Sequence, residues 1–533
     1  MLRNFKRLMA LFVAVIFVSC SLSISSVSAS TTQPLGKLFP PSETSTPGDW
    51  FLGKTPPNYD PNKPPIVFVQ GKNGSANNWY GDTVYHGMND MYEYAYNAGY
   101  QTVFVQLYDA AGKGSANEWD NGRLLASMLE KIYNHFGKKV NIVAHSKGGP
   151  DTQAALIHYG ANRFVGNVVT LASPHHGSNL ADLAYSWWAG WLASLLGQQD
   201  DGTYSLQTGE MAQFRSVTDS NPNAKSNHYY TVAGTSWGPA FSALSLGGFY
   251  LSWYGSNDGL VNEWSTKLSY GTHLFTDSRL DHDNIRMGSA VFSRIEPYLR
   301  SSSAAAYLGT SSTSGETKEV TTTNTNQTIL GGKLTQNNWV EQTFAIDTAT
   351  DGSVSVLTAS PDVQMQLIAP SGTVYTNRSS KTTRGEDHAY FKNATIQTFQ
   401  INQMEAGEWR LKMLTQAQTD AYLMLANYKQ AAPFTLEMPG KVKQNKAEFK
   451  LKQSTTRALP QEDLSFHVRV IDRNGKIVSE TNQLPKTDAT TFTGDLPNVA
   501  QSGVYNVTVD IKGKNKEGKA YTRTIVRSVY IEK

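Results

Sequence analysis

The sequence predicts an α/β domain followed by all-β modules, and three observations support this prediction. Short unbroken apolar runs recur between residues 64 and 300. Amphipathic helical patterns separate these runs. Beyond residue 320 the helical period disappears, and segments of alternating apolar and polar residues remain, with turn residues between them. Unbroken runs indicate strands covered on both faces, as in a parallel sheet, whereas alternation indicates a β-sandwich.

The strands and one long helix define the first domain, residues 64–300. The apolar runs are PPIVFVQG, YQTVFVQLYD, VNIVAHS and GNVVTLASP, and YYTVAGTS is a further candidate strand. The clearest helical pattern is NGRLLASMLEKIYNHFG, whose apolar residues recur at three- and four-residue spacing until Gly137 ends it. Because strand and helix alternate, we expect a mostly parallel, doubly wound sheet.

The first thirty residues are typical of an export signal. Basic residues precede the apolar run LMALFVAVIFV, and SSVSAS offers a small-residue cleavage site near Ala29. We therefore expect residues 1–30 to be a signal peptide and the protein to be secreted. A membrane anchor at this end and a lipid anchor at Cys20 are the alternatives. Residues 31–63, rich in Pro, Thr, Ser and Gly, are predicted to be an extended lead-in.

Two β modules follow the α/β domain. The small polar residues 301–320 indicate a linker, and residues 321–430 and 431–533 are each predicted to form a sandwich module. In the last module, LSFHVRVIDRNGKIVSE carries an Asn-Gly turn between two alternating runs, which predicts a hairpin. We expect the modules to bind a polymer, a cell wall or a lipid surface. Spacers or stabilisers are the alternative interpretation.

The overall charge excludes one class of partner. The chain has 533 residues, a formal net charge of +3 and 17% charged residues, so nothing in it favours nucleic acid. Cys20 is the only cysteine. A chain processed beyond Cys20 has no disulfide and depends on its apolar cores for stability, which its length permits.

The stretch VNIVAHSKGGPDTQAAL places Ser146 at a corner between a strand and a helix. A reactive hydroxyl needs exposure, a nearby base and backbone donors for an oxyanion, and a sharp strand–turn–helix corner provides the exposure. Such a corner tolerates only small residues two places before and after the serine, and Ala144 and Gly148 meet this requirement. The other interpretation is that Ser146 caps a helix.

Two loops downstream supply the remaining groups of a catalytic triad. GSNDGLVNEWS contains Asp258, and LDHDNIRMG contains His282, so the residues follow in the order Ser, Asp, His. His282 would take the proton of Ser146, and Asp258 would orient the imidazole and stabilise its positive form. An Asx turn at Asp258 and a surface histidine at His282 are the structural alternatives. The backbone amides of Lys72, in FVQGKNGS, and of Lys147 are the candidate oxyanion donors.

Residues from about 64 to 300 resemble the bacterial true lipases of the α/β-hydrolase fold, the secreted Pseudomonas/Burkholderia and Bacillus type. The motifs that carry the resemblance are VFVQGKNGS, NGRLLASMLEKIYNHFGKKVNIVAHSKGG, VVTLASPHHGSNLADLA, SNDGLV and DHDNI. The resemblance implies an α/β-hydrolase domain, followed here by two all-β sandwich modules. It also implies hydrolysis of triacylglycerols or other esters by Ser146, Asp258 and His282, with oxyanion amides at Lys72 and Lys147.

The chain departs from that family at two places. The first oxyanion loop usually begins His-Gly, and here it begins Gln70-Gly71. Some members bind calcium through an aspartate two residues after the histidine, and Asn284 stands there instead. We therefore expect no required cofactor and no metal ligand, with a structural Ca²⁺ as an open alternative. His175 and His176 lie in SPHHGS, where the family carries histidine without a metal.

The segment LADLAYSWWAGWLASLLG, residues 180–197, follows SPHHGS and is apolar nearly all round. We call it the tryptophan segment. The resemblance places a lid helix here, and a buried core helix is the alternative. The candidate lid residues are Trp187, Trp188, Trp191, Leu192 and Leu195.

The sequence therefore predicts a secreted serine carboxylic-ester hydrolase, a triacylglycerol lipase that acts on lipid or ester substrates at an interface. A polyhydroxyalkanoate depolymerase or a phospholipase is the alternative within the same chemistry. An adhesion or surface-binding protein with a secondary hydrolase domain is the alternative from another class.

Overall fold

The computed structural model describes residue 38 and residues 44–112, 114–240, 242–303, 320–324, 326–377, 382–386, 390–444, 447–454 and 463–533. The predicted signal peptide, Cys20 and most of the predicted linker lie outside these residues. No helix in the described ranges is long and apolar enough to cross a membrane. We refer to residues 44–303 as the N-terminal half and to residues 320–533 as the β region.

The N-terminal half alternates strands and helices, as the sequence predicts. The strands are β1 (Trp50–Leu52), β2 (Ile66–Val69), β3 (Thr102–Val105), β4 (Val140–His145), β5 (Val165–Leu171), β6 (His228–Gly234) and β7 (Thr272–Asp277). The helices are α1 (Met91–Asn97), α2 (Glu118–Phe136), α3 (Gly148–Gln153), α4 (Asn179–Ala184), α5 (Gly190–Leu195), α6 (Asp201–Ser205), α7 (Thr208–Thr218), α8 (Ala243–Leu251) and α9 (Gly288–Ile295).

These strands form one sheet in the order β1-β3-β2-β4-β5-β6-β7. Pairing is parallel from β3 across to β7 and antiparallel only between β1 and β3. The predicted α/β class is thus confirmed. The predicted lead-in, residues 31–63, contains β1, which joins the sheet as an edge strand. Three residues among prolines and glycines are too few to show a strand period, which is why the sequence gives no sign of it.

Apolar clusters cover both faces of this sheet. One cluster packs α1 and α9 on the sheet, and the other packs α2 on the opposite face. Helix α2 buries Leu125, Met128, Leu129 and Ile132, the stripe that its sequence spacing predicts. It ends at Gly137, whose φ of 65° lies in the left-handed region that favours glycine.

The β region forms two sandwiches, which confirms the all-β part of the predicted fold class. The sheets of the first are β10-β16-β12-β13 and β14-β15-β11-β17-β9, and those of the second are β23-β20-β18-β8 and β19-β25-β24-β21-β22. The strands are β8 (Val320–Asn324), β9 (Gln327–Leu334), β10 (Val340–Ile346), β11 (Thr350–Thr358), β12 (Gln364–Ile368), β13 (Val374–Thr376), β14 (Thr382–Glu386), β15 (Thr395–Met404), β16 (Gly407–Leu414), β17 (Asp420–Tyr428), β18 (Phe434–Pro439), β19 (Lys441–Lys443), β20 (Glu448–Gln453), β21 (Ser465–Ile471), β22 (Ile477–Thr481), β23 (Thr491–Asp495), β24 (Gly503–Lys514) and β25 (Ala520–Glu532).

Strand β8 lies in a different sandwich from the one that its position in the chain predicts. The sequence predicts residues 321–430 as one module, whereas β8 pairs with β18 and so belongs to the second sandwich. The predicted Asn-Gly hairpin is present as β21 and β22, with Gly475 at a φ of 76°. The chain therefore enters the β region through its last sandwich before it builds the first.

The sheet that contains β17 is buried on both faces. Met424 and Ala426 point into the core of the first sandwich. Leu423 and Leu425 point the other way, into an apolar cluster that includes Leu192 of α5. Polar contacts join the same two parts of the chain. The Ser528 hydroxyl of β25, for example, donates to a buried carboxylate of α4, Asp182, at 2.5 Å. The β region therefore packs against the tryptophan segment instead of standing apart from the N-terminal half.

Candidate active site

Ser146 stands at the corner between β4 and α3. Its φ of 53° lies in the left-handed region, which residues other than glycine seldom adopt. The two glycines that follow at positions 148 and 149 have no room for side chains. A Cβ at Gly148 would lie 2.5 Å from Gln70 O, and a Cβ at Gly149 would lie 2.5 Å from Ser173 Cβ. The tight packing of this corner holds the serine in its unusual conformation.

Three side chains that are far apart in the sequence meet at the carboxyl edge of the sheet. The Ser146 hydroxyl lies 2.9 Å from His282 Nε2, and His282 Nδ1 lies 2.8 Å from Asp258 Oδ2. Asp258 Oδ1 accepts the backbone N–H groups of Leu260 and Val261 at 3.0 and 2.7 Å. These two bonds fix the carboxylate, so only its second oxygen faces the imidazole. The structure brings together the three residues that the sequence proposes as nucleophile, acid and base.

His145 lies beside the imidazole of His282. Its Nε2 is 2.9 Å from the His282 carbonyl oxygen, and the two ring centroids are 4.8 Å apart. Burial, together with the nearby His282, lowers the pKa of His145 well below its usual value. The neutral ring donates Nε2–H to the carbonyl and adds no positive charge beside His282. Sequence reasoning missed this residue, although its position directly before Ser146 places it at the corner.

A second histidine and an aspartate hold the loop that carries His282. Asp281 Oδ1 accepts the backbone N–H groups of Asp283 and Asn284, both at 2.8 Å. His86 Nε2 lies 2.7 Å from Asp281 Oδ2. The loop is therefore fixed on both sides of His282. Asn284, which stands where some lipases carry a calcium ligand, serves the turn by accepting the Asp281 N–H at 2.9 Å.

The loop after β2 lies against Ser146. A Cβ at Gly71 would come 2.8 Å from Ser146 Cβ, so the loop needs glycine to approach this closely. Lys72 follows Gly71 and lines the same cavity as Ser146. The next residue, Asn73, has a φ of 57° and donates its N–H to Asp109 Oδ1 at 3.0 Å. The two lysines of the predicted oxyanion hole thus flank the serine, one in this loop and one directly after Ser146.

Gln70 occupies the position where the resembled lipases have histidine. Its side-chain amide donates to Val105 O at 2.9 Å and accepts the Leu107 N–H at 2.8 Å. It therefore fastens the loop after β2 to the end of β3.

A cavity of about 220 Å³ opens beside Ser146 and His282. Two residues of the β region, Tyr390 and Lys392, line it together with residues of the N-terminal half. No sequence pattern pointed to these two residues, because they lie more than a hundred positions from any motif of the N-terminal half. The apolar residues that line the cavity include Leu206, Ala243, Leu244 and Leu260.

The candidate lid residues lie between the N-terminal half and the β region. Trp188 Nε1 donates to Asp510 of the second sandwich at 3.0 Å. The Arg469 guanidinium lies 5.2 Å from the ring centroid of Trp187 and 5.4 Å from that of Trp188. The two residues that remain exposed are Trp191, beside the ammonium of Lys333, and Leu195, while Leu192 is buried. The tryptophan segment consists of two short helices, α4 and α5, and not of a single helix.

The paired histidines of SPHHGS have hydrogen-bond partners. His175 is fully buried, with Nδ1 2.9 Å from Gln153 Oε1 and Nε2 3.2 Å from Thr170 Oγ1. His176 Nε2 lies 3.0 Å from Lys267 O. In the described part of the chain, no three or more His, Cys, Asp or Glu side chains are grouped to hold a metal ion.

Comparison with known proteins places this geometry in a family. No protein-family model matches the chain. A Bacillus licheniformis lipase, BlEst2 in its propeptide form, is 33% identical, with coverage of 91% of this chain and 98% of that chain and a TM-score of 0.73. The mature form of the same lipase is 47% identical, with coverage of 48% of this chain and 99% of that chain and a TM-score of 0.44. The chain therefore belongs to the family of bacterial α/β-hydrolase lipases that includes BlEst2, and it is a hydrolase of the lipase and esterase type.

Proposed function

We propose that the chain is a serine carboxylic-ester hydrolase, a triacylglycerol lipase, that uses Ser146 as its nucleophile. The observation that carries this proposal is the continuous line of contacts from Ser146 Oγ through His282 to Asp258, at 2.9 and 2.8 Å. The export signal predicted at residues 1–30 would place the reaction outside the cell.

The reaction proceeds in two halves through an acyl-enzyme. Ser146 Oγ attacks the ester carbonyl while His282 Nε2 accepts the hydroxyl proton, and His282 then gives that proton to the departing alcohol. Water repeats the sequence on the acyl-serine and releases the carboxylic acid. Asp258 keeps the proton of the neutral imidazole on Nδ1 and stabilises the imidazolium that forms in each half.

The backbone amides of Lys72 and Lys147 bind the oxyanion of each tetrahedral intermediate in this mechanism. Gly71 supports the assignment of Lys72, because its contact with Ser146 brings the loop against the reacting atom. Lys147 directly follows the nucleophile, which is the position that supplies one oxyanion donor at such corners. Loss of one donor typically costs about 3 kcal/mol of transition-state stabilisation.

The cavity and the tryptophan segment support the proposed substrate class. The wall of Leu206, Ala243, Leu244 and Leu260 suits an acyl chain. A tryptophan ring buries about 150–250 Å², which is worth roughly 4–6 kcal/mol at most, so rings that transfer to a lipid surface would offset lid opening. Interfacial activation therefore belongs to the proposal, together with a lipid or ester substrate at an interface.

A substrate panel tests the proposed class. We expect hydrolysis of p-nitrophenyl esters and of triolein emulsion, with a jump in rate when the substrate forms a separate phase. Faster hydrolysis of polyhydroxybutyrate or of phospholipid than of triolein would favour the depolymerase or the phospholipase. Absence of hydrolysis together with absence of labelling by a serine-reactive phosphonate would favour the surface-binding alternative.

The β region contributes residues to the proposed site and covers part of the tryptophan segment. Tyr390 and Lys392 line the cavity that contains Ser146, and Leu423 and Leu425 cover the tryptophan segment. The BlEst2 structure that matches most of the chain is that of a propeptide form. We propose that the β region of this chain is a propeptide that limits access to the site until the chain is cleaved, rather than a polymer-binding module.

Controlled cleavage tests the propeptide role. A recognition site for a specific protease is inserted between residues 304 and 319, and the cut halves are separated by chromatography. We expect kcat/KM for triolein to rise at least about tenfold after separation, because the cavity mouth and the tryptophan segment lose their cover. The same site inserted in the exposed turn at Asn474–Gly475 is the control, since cleavage there leaves β17 and Tyr390 in place. An unchanged rate after separation would contradict the role.

A further inference from the structure

The side-chain ammonium groups of both proposed oxyanion lysines pair with buried carboxylates. Lys147 Nζ is fully buried and donates to Asp151 Oδ1 and Oδ2 at 2.8 and 3.0 Å. Lys72 Nζ donates to Asp200 Oδ2 at 3.3 Å, and the two side chains are only 8% and 12% exposed. Buried ammonium groups of this kind need a paired carboxylate, because removal of the partner leaves an uncompensated charge.

One hydrogen-bond network connects the two ion pairs. Asn121 Nδ2 donates to Asp151 Oδ2 at 3.0 Å and to Asp109 Oδ2 at 2.7 Å. The other oxygen of Asp109 accepts the Asn73 N–H at 3.0 Å. Asp109 also accepts a hydrogen bond from the Ser115 hydroxyl. The backbone N–H of Ser115 donates to Asp200 Oδ2 at 2.9 Å. The loop that carries Lys72 is thus held from both sides, at its side chain by Asp200 and at its next amide by Asp109.

Asp200 lies shortly after the tryptophan segment. Its Oδ1 accepts the Thr203 N–H at 2.7 Å and caps α6, and its backbone carbonyl accepts the Tyr185 hydroxyl at 3.0 Å. Asp200 therefore contacts the tryptophan segment through its backbone carbonyl and the candidate oxyanion loop through its carboxylate. Burial lowers the pKa of Lys72, and Asp200 opposes this effect by stabilising the ammonium form.

We propose that Asp200 is a positioning residue for catalysis: its ion pair with Lys72 aims the Lys72 backbone amide at the oxyanion and couples the oxyanion hole to the tryptophan segment. The proposal rests on the function proposed above. It assigns work to a carboxylate that contacts neither substrate nor the Ser146–His282–Asp258 line. It also explains why a loop that needs only a backbone donor carries a long, buried, charged side chain.

A double-mutant cycle with Lys72→Met and Asp200→Asn tests the coupling. Asn keeps an oxygen for the Thr203 N–H, so the cap of α6 survives, while the Lys72 ammonium and the Ser115 N–H lose the carboxylate oxygen that they share. With a soluble p-nitrophenyl ester and the full chain, we expect each single variant to lose about 10- to 100-fold in kcat, with KM within about threefold. We expect the double variant to lose no more than the worse single variant, since both remove the same support.

A transition-state analogue separates positioning from simple loss of structure. The inhibition constant of a boronic acid, whose adduct places an oxygen in the oxyanion hole, should rise in parallel with the loss of kcat. Asp201→Asn is the matched control, because Asp201 lies next in the chain and pairs with exposed Arg473 of the second sandwich. We expect this control to keep kcat and the inhibition constant of the wild type.

Three results would overturn the proposal. They are kcat and inhibition constants within about twofold of wild type in both single variants, losses that multiply in the double variant, and equal losses in Asp201→Asn. Phosphonate labelling of Ser146 distinguishes failure of this inference from failure of the proposed function. A wild-type chain that is labelled at Ser146 while Asp200→Asn stays fully active sinks this inference alone. A wild-type chain that is not labelled sinks the proposed function, and the inference with it.

Discussion

Replacement of Ser146 by alanine should reduce kcat by about 10⁶-fold, the loss typical when the nucleophile of a serine hydrolase is removed. The Ser146 hydroxyl is the group 2.9 Å from His282 Nε2, and no other hydroxyl contacts that nitrogen among the described hydrogen bonds. Alanine keeps a Cβ, so the strained φ of 53° at the corner is unchanged and the fold should be retained. The variant isolates the loss of the reacting oxygen.

The measurement is ester hydrolysis together with covalent labelling by a fluorophosphonate. Ser173→Ala is the matched control, because Ser173 is a fully buried serine shortly after the neighbouring strand β5, and none of the described hydrogen bonds joins it to His282. We expect Ser173→Ala to be labelled and active, and Ser146→Ala to be neither. Labelling that persists in Ser146→Ala would show that another residue is the nucleophile.

Replacement of Asp258 by asparagine should reduce kcat by about 10⁴-fold. Two backbone N–H groups, those of Leu260 and Val261, donate to Asp258 Oδ1 and would require the asparagine carbonyl oxygen at that position. The amide NH₂ would then face His282 Nδ1 and donate to it. That bond would place the imidazole proton on Nε2, where it cannot accept the Ser146 hydroxyl proton. The loss arises from the wrong tautomer in an otherwise intact site.

Steady-state kinetics and thermal unfolding of Asp258→Asn provide the check. We expect a midpoint of unfolding close to that of the wild type, since the backbone bonds to Oδ1 survive. Asp277→Asn is the control, because Asp277 loses ion pairs with Arg279 and Arg294 but makes no contact with His282. A loss below about tenfold in Asp258→Asn, or an equal loss in the control, would contradict the assigned role of Asp258.

The sequence was informative where a local pattern reflects a local physical requirement. The unbroken apolar runs predicted the parallel strands, and the corner around Ser146 followed from its small neighbours. Strand β1 was not predicted, because three residues are too few to show the two-residue period of a strand. The assignment of β8 to the second sandwich escaped because pairing with β18 joins residues that are far apart in the chain.

The candidate site shows the same division. The order Ser146, Asp258, His282 could be read from motifs, and the structure places these side chains in contact. The contacts of His145 and Asp200 are tertiary, and no sequence motif predicts them. The sequence does contain one signal that the β region packs against the N-terminal half. The run DAYLMLANY of β17 is apolar without alternation, which is typical of a strand covered on both faces.

The double covering of β17 has a consequence for the chain once it is cut. Separation of the two halves would expose Leu423 and Leu425 on one fragment and Leu192 on the other. Each fragment would then present an apolar surface to water. The catalytic fragment could bury its exposed apolar surface at an oil–water interface. The released β fragment has no such interface and would aggregate or be degraded. Maturation of this kind would be irreversible, because the lipid substrate would cover the surface that the β region covers before cleavage.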